Sequence, residues 1–89
     1  MKAVITVVGK DMVGILAKVA GECVKYNANV IEVTQSVLQD MFAMVLLVDI
    51  TSISVGMADF SAAMERLGSE SALFIHVMHE DIFNSMHRI

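Results

Sequence analysis

Three histidines and several acids gather near the C-terminus: His76, His79, Glu80, Asp81 and His87. Imidazole and carboxylate are ligands that divalent cations take, so a metal centre is the first chemistry to weigh. The spacing works against it. His76 and His79 are separated by an odd offset, which on a strand sends their side chains to opposite faces. A turn after His76 lets His79, Glu80 and Asp81 converge, with His87 near them. Ligand-rich termini of this kind need no metal to explain them, so neither a metal nor a cofactor is assigned. The single cysteine, Cys23, has no partner for a disulfide or a Cys-x-x-Cys site, and a cysteine economy of this kind fits a cytoplasmic protein. Cys23 falls within an apolar stripe, where it reads as core packing. No Ser, His and Asp stand in a spacing that supports a triad, and no loop carries a carboxylate pair. These parts do not make an enzyme.

The remaining candidate is the segment Gly9-Lys10-Asp11-Met12-Val13-Gly14, where an alternating pattern gives way to a helical one. A strand turning sharply into a helix directs several backbone N–H groups to one spot at the positive end of the helix dipole. A carboxylate fits there, and Gly14 has no side chain to obstruct it. Asp11 stands where an N-cap belongs and competes for the same donors. Capping alone explains Asp11, tight helix–strand packing explains Gly14, and turn formation explains Asn27 and Asn29. These readings stand beside the ligand reading.

Around this loop the chain divides into short elements. Residues 2–8 are β-branched and apolar on both faces (Ala3/Ile5/Val7 and Val4/Thr6/Val8), as expected of a central strand covered on both sides. Met12, Leu16, Val19, Cys23 and Tyr26 recur at helical spacing, widened by Ile15, Ala20 and Val24, and Asn27 and Asn29 close that helix. Residues 29–38 alternate, with Ile31, Val33, Gln35 and Val37 on the buried face, and Gln39-Asp40 is a two-residue turn. A third strand spans 42–51. Thr51 to Ser54 supply caps for a second helix over 55–67, with an inner stripe of Phe60, Ala63, Met64 and Leu67 and a stop at Gly68. The fourth strand, 71–79, turns Leu73, Ile75 and Val77 one way and Phe74, His76 and Met78 the other. Asp81 caps a last short helix carrying Ile82, Phe83 and Met86.

The order β-α-β-β-α-β folds, by right-handed crossovers, into an α+β, ferredoxin-like two-layer sandwich. It has a four-stranded antiparallel sheet, two helices on one face and a short C-terminal helical tail, all within one domain over 1–89. Val4, Val8, Val45, Leu47, Phe74 and Met78 then share the other face. The composition makes the same point. Hydrophobic residues are 56% of the chain and mean hydropathy is +0.68, above the roughly 45–50% usual for soluble domains. The longest apolar run, Met41 to Val48, is far short of the ~20 residues of a membrane span. The excess therefore calls for the tail and a second copy of the chain, as a homodimer or higher homo-oligomer. A formal charge of −4, with scattered Lys and Arg, speaks against nucleic acid.

Many functions share this fold plan. Ferredoxins and metal carriers need more cysteines, RNA-recognition motifs need exposed aromatics on the central strands and a basic surface, and acylphosphatase chemistry needs an Arg in the first loop. None fits. The chain does resemble the ACT domain, a regulatory module of amino-acid metabolism, in its strand leading into Gly9 through Leu16 and in Asn27-Ala28-Asn29-Val30-Ile31 opening strand two. Where that family reads Asp-x-Pro-Gly and then an aliphatic residue, this chain reads Asp11-Met12-Val13-Gly14-Ile15, with Val13 in the proline position. The single-domain UPF0237 proteins look nearest, through Val8-Gly9-Lys10-Asp11, His79-Glu80-Asp81-Ile82-Phe83 and Met86-His87-Arg88-Ile89. The glycine cleavage system repressors resemble it more distantly. The resemblance implies a non-catalytic regulatory domain whose amino-acid ligand lies at a dimer interface. There the first loop (Asp11, Met12, Val13, Gly14) of one subunit faces the start of strand two (Asn29, Val30) of the other. Asp11 would take the ligand ammonium and backbone groups from Met12 to Gly14 its carboxylate. The alternative is a ligand-free module that regulates a protein partner through its oily sheet face or the edge of strand two.

Overall fold

The structure, a computed structural model, describes residues 1–10 and 14–86, apart from the side chains of Leu38 and Met86. The elements follow as β1 (Lys2–Gly9), α1 (Ile15–Lys25), β2 (Asn29–Leu38), β3 (Met41–Asp49), α2 (Met57–Glu70), β4 (Phe74–His79) and α3 (Glu80–Met86). The four strands form one antiparallel sheet in the order β2-β3-β1-β4. This is the ferredoxin-like α+β sandwich that the element order implies. Ala3, Ile5 and Val7 of β1 join Met44, Leu46 and Val48 of β3 and Ile75 and Val77 of β4 in one core with α1 and α2. Phe60, Met44 and Leu46 have no exposed surface, and burial of each such side chain favours folding by about 1.5–3 kcal/mol.

Both long helices end in the same device. After α1, the Ala28 N–H donates to the Cys23 carbonyl (2.8 Å) and the Asn27 N–H to that of Val24 (3.1 Å). Asn27 takes the left-handed backbone (φ 62°) that closes a Schellman turn. After α2, the Leu73 N–H donates to the Gly68 carbonyl (2.8 Å), with Ala72 left-handed (φ 57°). Each turn drops an apolar residue, Ala28 or Leu73, onto the core.

Several boundaries differ from the sequence reading. α1 starts at Ile15 with Gly14, which has no side chain to offer, in the N-cap position; Asp11, expected there, lies outside the described residues. Its buried stripe is Ile15, Val19 and Cys23, whereas Leu16 and Val24 are exposed. Of that predicted stripe, Met12 lies outside the described residues. α2 starts at Met57 after Gly56, without a cap from Thr51 to Ser54, and it runs through Gly68 to Glu70. Gly68 is buried because the backbone of Leu73 passes against it, not because it stops a helix. α3 begins one residue before Asp81, and its cap comes from His79, whose Nδ1 accepts the Asp81 N–H at 3.1 Å. β2 carries a bulge between Val30 and Glu32. The bulge makes Val30, not Ile31, the partner of Val33 on the core side, and leaves Ile31 exposed.

The second sheet face is only partly covered. α3 lies against β1 and β4, Val4 is buried, and Phe83 and Met78 are half-buried. The tail thus shelters the Val4 end. Toward the other end Val8 is half-buried, while Val45 is 36% and Phe74 61% exposed.

Candidate functional site

The strand registers fix where each candidate residue stands. Gly9 at the end of β1 is opposite Phe42, and Lys2 at its start is opposite Asp49, which in turn is opposite Asn29 of β2. The first loop therefore leaves one end of the sheet and β2 enters at the other. The length of β1 separates them, about 24 Å at ~3.4 Å per residue. Among the described site residues, Gly14 is exposed, with φ 75° and open space where a Cβ would stand. Any L side chain there would be strained, so the glycine is required by the backbone itself. The Lys18 N–H donates to the Gly14 carbonyl at 2.9 Å, closing the first turn of α1. Asn29 is exposed and Val30 half-buried against the core. Asp11, Met12 and Val13 lie outside the described residues. One chain does not bring Gly14 and Asn29 together.

Two features of these ends escape a reading by motif. Asn29 is paired with Asp49, an acid whose Oδ1 accepts the Thr51 N–H at 2.8 Å. The Thr51 side chain and then its N–H hold the Asp49 carboxyl below its ordinary pKa. An ionised acid thus stands beside Asn29 on the neighbouring strand. Its only sequence signal is the Asp-x-Thr spacing of a side chain that bonds its own backbone two residues on. At the other end, a hollow of about 500 Å³ opens between β1, α1 and the turn from α2 into β4, with Lys10 and Lys18 on its lining.

The other candidates stay apart. Among the described residues no three His, Cys, Asp or Glu side chains converge on a metal position, and His87 lies outside them. His79 Nδ1 and Asp81 Oδ2 are 3.7 Å apart. Cys23 is buried, and burial, with Glu22 adding to it, pushes its thiol up to about 11. Such a thiol carries no nucleophile at neutral pH. Among the described residues no helix is long and apolar enough to cross a membrane.

Comparison with known proteins agrees with this architecture. The family model for the ACT domain matches residues 2–78. The chain belongs to the ACT domain family. A UPF0237 protein of Methanococcus maripaludis is 45% identical over 86 residues, covering 97% of this chain and 96% of its own. A UPF0237 protein of Clostridium perfringens is 42% identical over 89 residues, with both chains fully covered. An ACT domain protein from Streptococcus pneumoniae superposes with a TM-score of 0.83 at 32% identity, covering 98% of each chain. The structure of a putative glycine cleavage system transcriptional repressor shares the fold, with a TM-score of 0.71 at 22% identity over 85% of this chain and 43% of that one. ACT family membership implies a regulatory role exercised through small-molecule binding.

Proposed function

We propose that this ACT domain is a non-catalytic, cytoplasmic sensor that binds an amino acid as a homodimer. The observation that carries the reading is the separation of Gly14 from Asn29 by the length of the sheet. β2 is an edge strand, and its N–H and C=O groups on the outer side have no ladder partner among the described residues. If two copies join along this edge antiparallel, the start of β2 in one copy lies beside the end of β2 in the other. That is the sheet end from which the partner's first loop departs. The join thus forms two equivalent sites, each with Gly14 of one copy and Asn29 of the other. Donors around Gly14 suit the ligand carboxylate, and the Asn29 amide offers both donor and acceptor. Asp11 is the proposed acceptor for the ammonium, and Met12, Val13 and Val30 complete the wall.

Sedimentation equilibrium and calorimetric titration with each common amino acid test this reading. The expected result is a dimer that binds one amino acid per chain, with affinity reduced about tenfold or more in Asn29→Ala, the loss of a hydrogen bond to a charged group. A monomer at high concentration, or no heat with any amino acid, would refute it. The exposed Phe74 and Val45 favour a second reading, a ligand-free module that binds a protein partner on this face. That reading expects a flat amino-acid screen together with a partner lost on Phe74→Ser.

A further inference from the structure

The two edges of the sheet carry different helix flanks. α1 lies against β2 and α2 against β4, so each edge strand has one helix above it. The core residues Ile15, Val19 and Cys23 fix the orientation of α1 about its axis, each further residue advancing by about 100°. One flank then holds the three charges of α1, Lys18, Glu22 and Lys25, and the last two line the hollow shared with α2. The opposite flank, above the β2 edge, is the row Leu16, Ala20 and Val24. Leu16 is 41% and Val24 77% exposed, and Ile31 and Val37 of β2 are exposed as well. At the other edge, Glu65 and Ser69 of α2 stand beside Phe74, Ile75 and His76 of β4. Two copies joined there would bring Glu65 toward its equivalent. Two joined at β2 bring apolar rows together.

We propose that in the homodimer the two α1 helices pack antiparallel, with Leu16 of each copy on Val24 of the other and the two Ala20 residues at the dyad. The inference rests on the homodimer reading above and supplies the side-chain surface that holds it. Two strands joined along β2 stand about 4.8 Å apart, and one helix covers every two strands, so the join leaves the α1 axes about 10 Å apart. Helices in contact pack at roughly 8–10 Å. A small residue at the crossing, Ala20, suits that approach. The contact also reaches the ligand site. Leu16 is close in the chain to Gly14, the N-cap of α1, and Val24 leads through the Asn27 turn into Asn29. Leu16 resting on Val24 of the second copy therefore carries Gly14 toward that copy's Asn29.

Sedimentation equilibrium of the full chain and its variants tests this contact. Leu16 and Val24 are exposed in the single chain, so the variants fold, and circular dichroism verifies this. Leu16→Glu and Val24→Lys keep each new charge at the helix end whose dipole favours it. Each alone sets a charge against an apolar side chain and should raise the dimer dissociation constant at least about tenfold. The double variant should recover most of that loss, because a carboxylate at position 16 then faces an ammonium at position 24 of the other copy. Within one helix those positions are about 12 Å apart and do not pair. Ser69→Glu, at the β4 edge, should leave the dimer unchanged. A dimer indifferent to both single variants, or a double variant no tighter than the singles, overturns the α1 contact and leaves the homodimer reading standing. A dimer broken by Ser69→Glu also overturns the contact. A parent chain that is monomeric at high concentration overturns both.

Discussion

Gly68→Ala tests the packing that joins α2 to β4. A Cβ at Gly68 would stand 2.8 Å from the Leu73 carbonyl oxygen, 3.2 Å from Ile75 Cγ1 and 3.3 Å from the Ile75 backbone nitrogen. Two of those three atoms are backbone, so no rotamer change relieves the contact. The same carbonyl-to-strand passage includes the Leu73 N–H bonded to Gly68, so backing away strains the turn. Replacing a mid-helix glycine by alanine gains about 0.8–1 kcal/mol of helix propensity. Overpacking costs about 1–3 kcal/mol, and the rigid backbone neighbours place this site at the upper end. The net is a destabilisation of about 1–2 kcal/mol, or a melting temperature lower by about 5–15 °C at this chain length. Gly21→Ala is the matched control. Gly21 lies in α1 with nothing within 4 Å of its Cβ position, so the same chemical change should stabilise by about 0.4–1 kcal/mol. Thermal and urea unfolding at one fixed protein concentration measure both. A Gly68→Ala protein as stable as the parent would show that the close approach of α2 and β4 is not as described.

Two further outcomes follow from titrating groups. The Cys23 thiol sits at about 11 in the folded chain, above its ordinary value near 9. The unfolded chain therefore loses that proton first, and folding stability should fall as pH rises from 9 to 11. Cys23→Ala should show a flatter decline in urea unfolding over this range, and equal slopes would argue against burial of the thiol. For Asp49 the sign is opposite. Its depressed carboxyl favours the folded chain above the ordinary carboxylate pKa, and that contribution disappears on acidification. Thr51→Val removes the hydroxyl and keeps the N–H, so a carbon-detected NMR titration should find the Asp49 pKa raised toward its ordinary value. An unmoved titration would mean that the Thr51 side chain does not hold this acid.

The elements were legible where one signal governs them. Alternation marked β1 and β4, the periodic stripe marked α1, and Asn27 at the end of that stripe marked its left-handed stop. The failures share a cause, which is that a residue type was read without its three-dimensional neighbours. Gly68 looks like a C-terminal stop because glycine is common there. The structure uses it for a close backbone approach, and the left-handed position falls to Ala72, a residue that carries no such signal. The Thr51–Ser54 segment looks like a cap, yet α2 starts behind Gly56. Ile31 looks inward-facing because alternation assumes an unbroken ladder, and a bulge inserts one residue without any mark in composition. At the candidate site, Gly14 and Asn29 could be singled out from their types. That they occupy opposite ends of the sheet follows only from register. Lys10 and Lys18 read as scattered surface charge until α1 folds back beside the end of β1.

The bulge in β2 has a consequence for anything that adds to that edge. Beyond Ile31 the ladder with β3 runs without interruption from Glu32 to Leu38, while Asn29 and Val30 belong to a separate short stretch. An incoming strand therefore finds regular spacing only along the later part of β2. The extra residue breaks the flat run that would let strands stack indefinitely. Deleting Ile31 would turn the ten-to-nine match of strand lengths into a plain nine-to-nine one and convert a guarded margin into a sticky one.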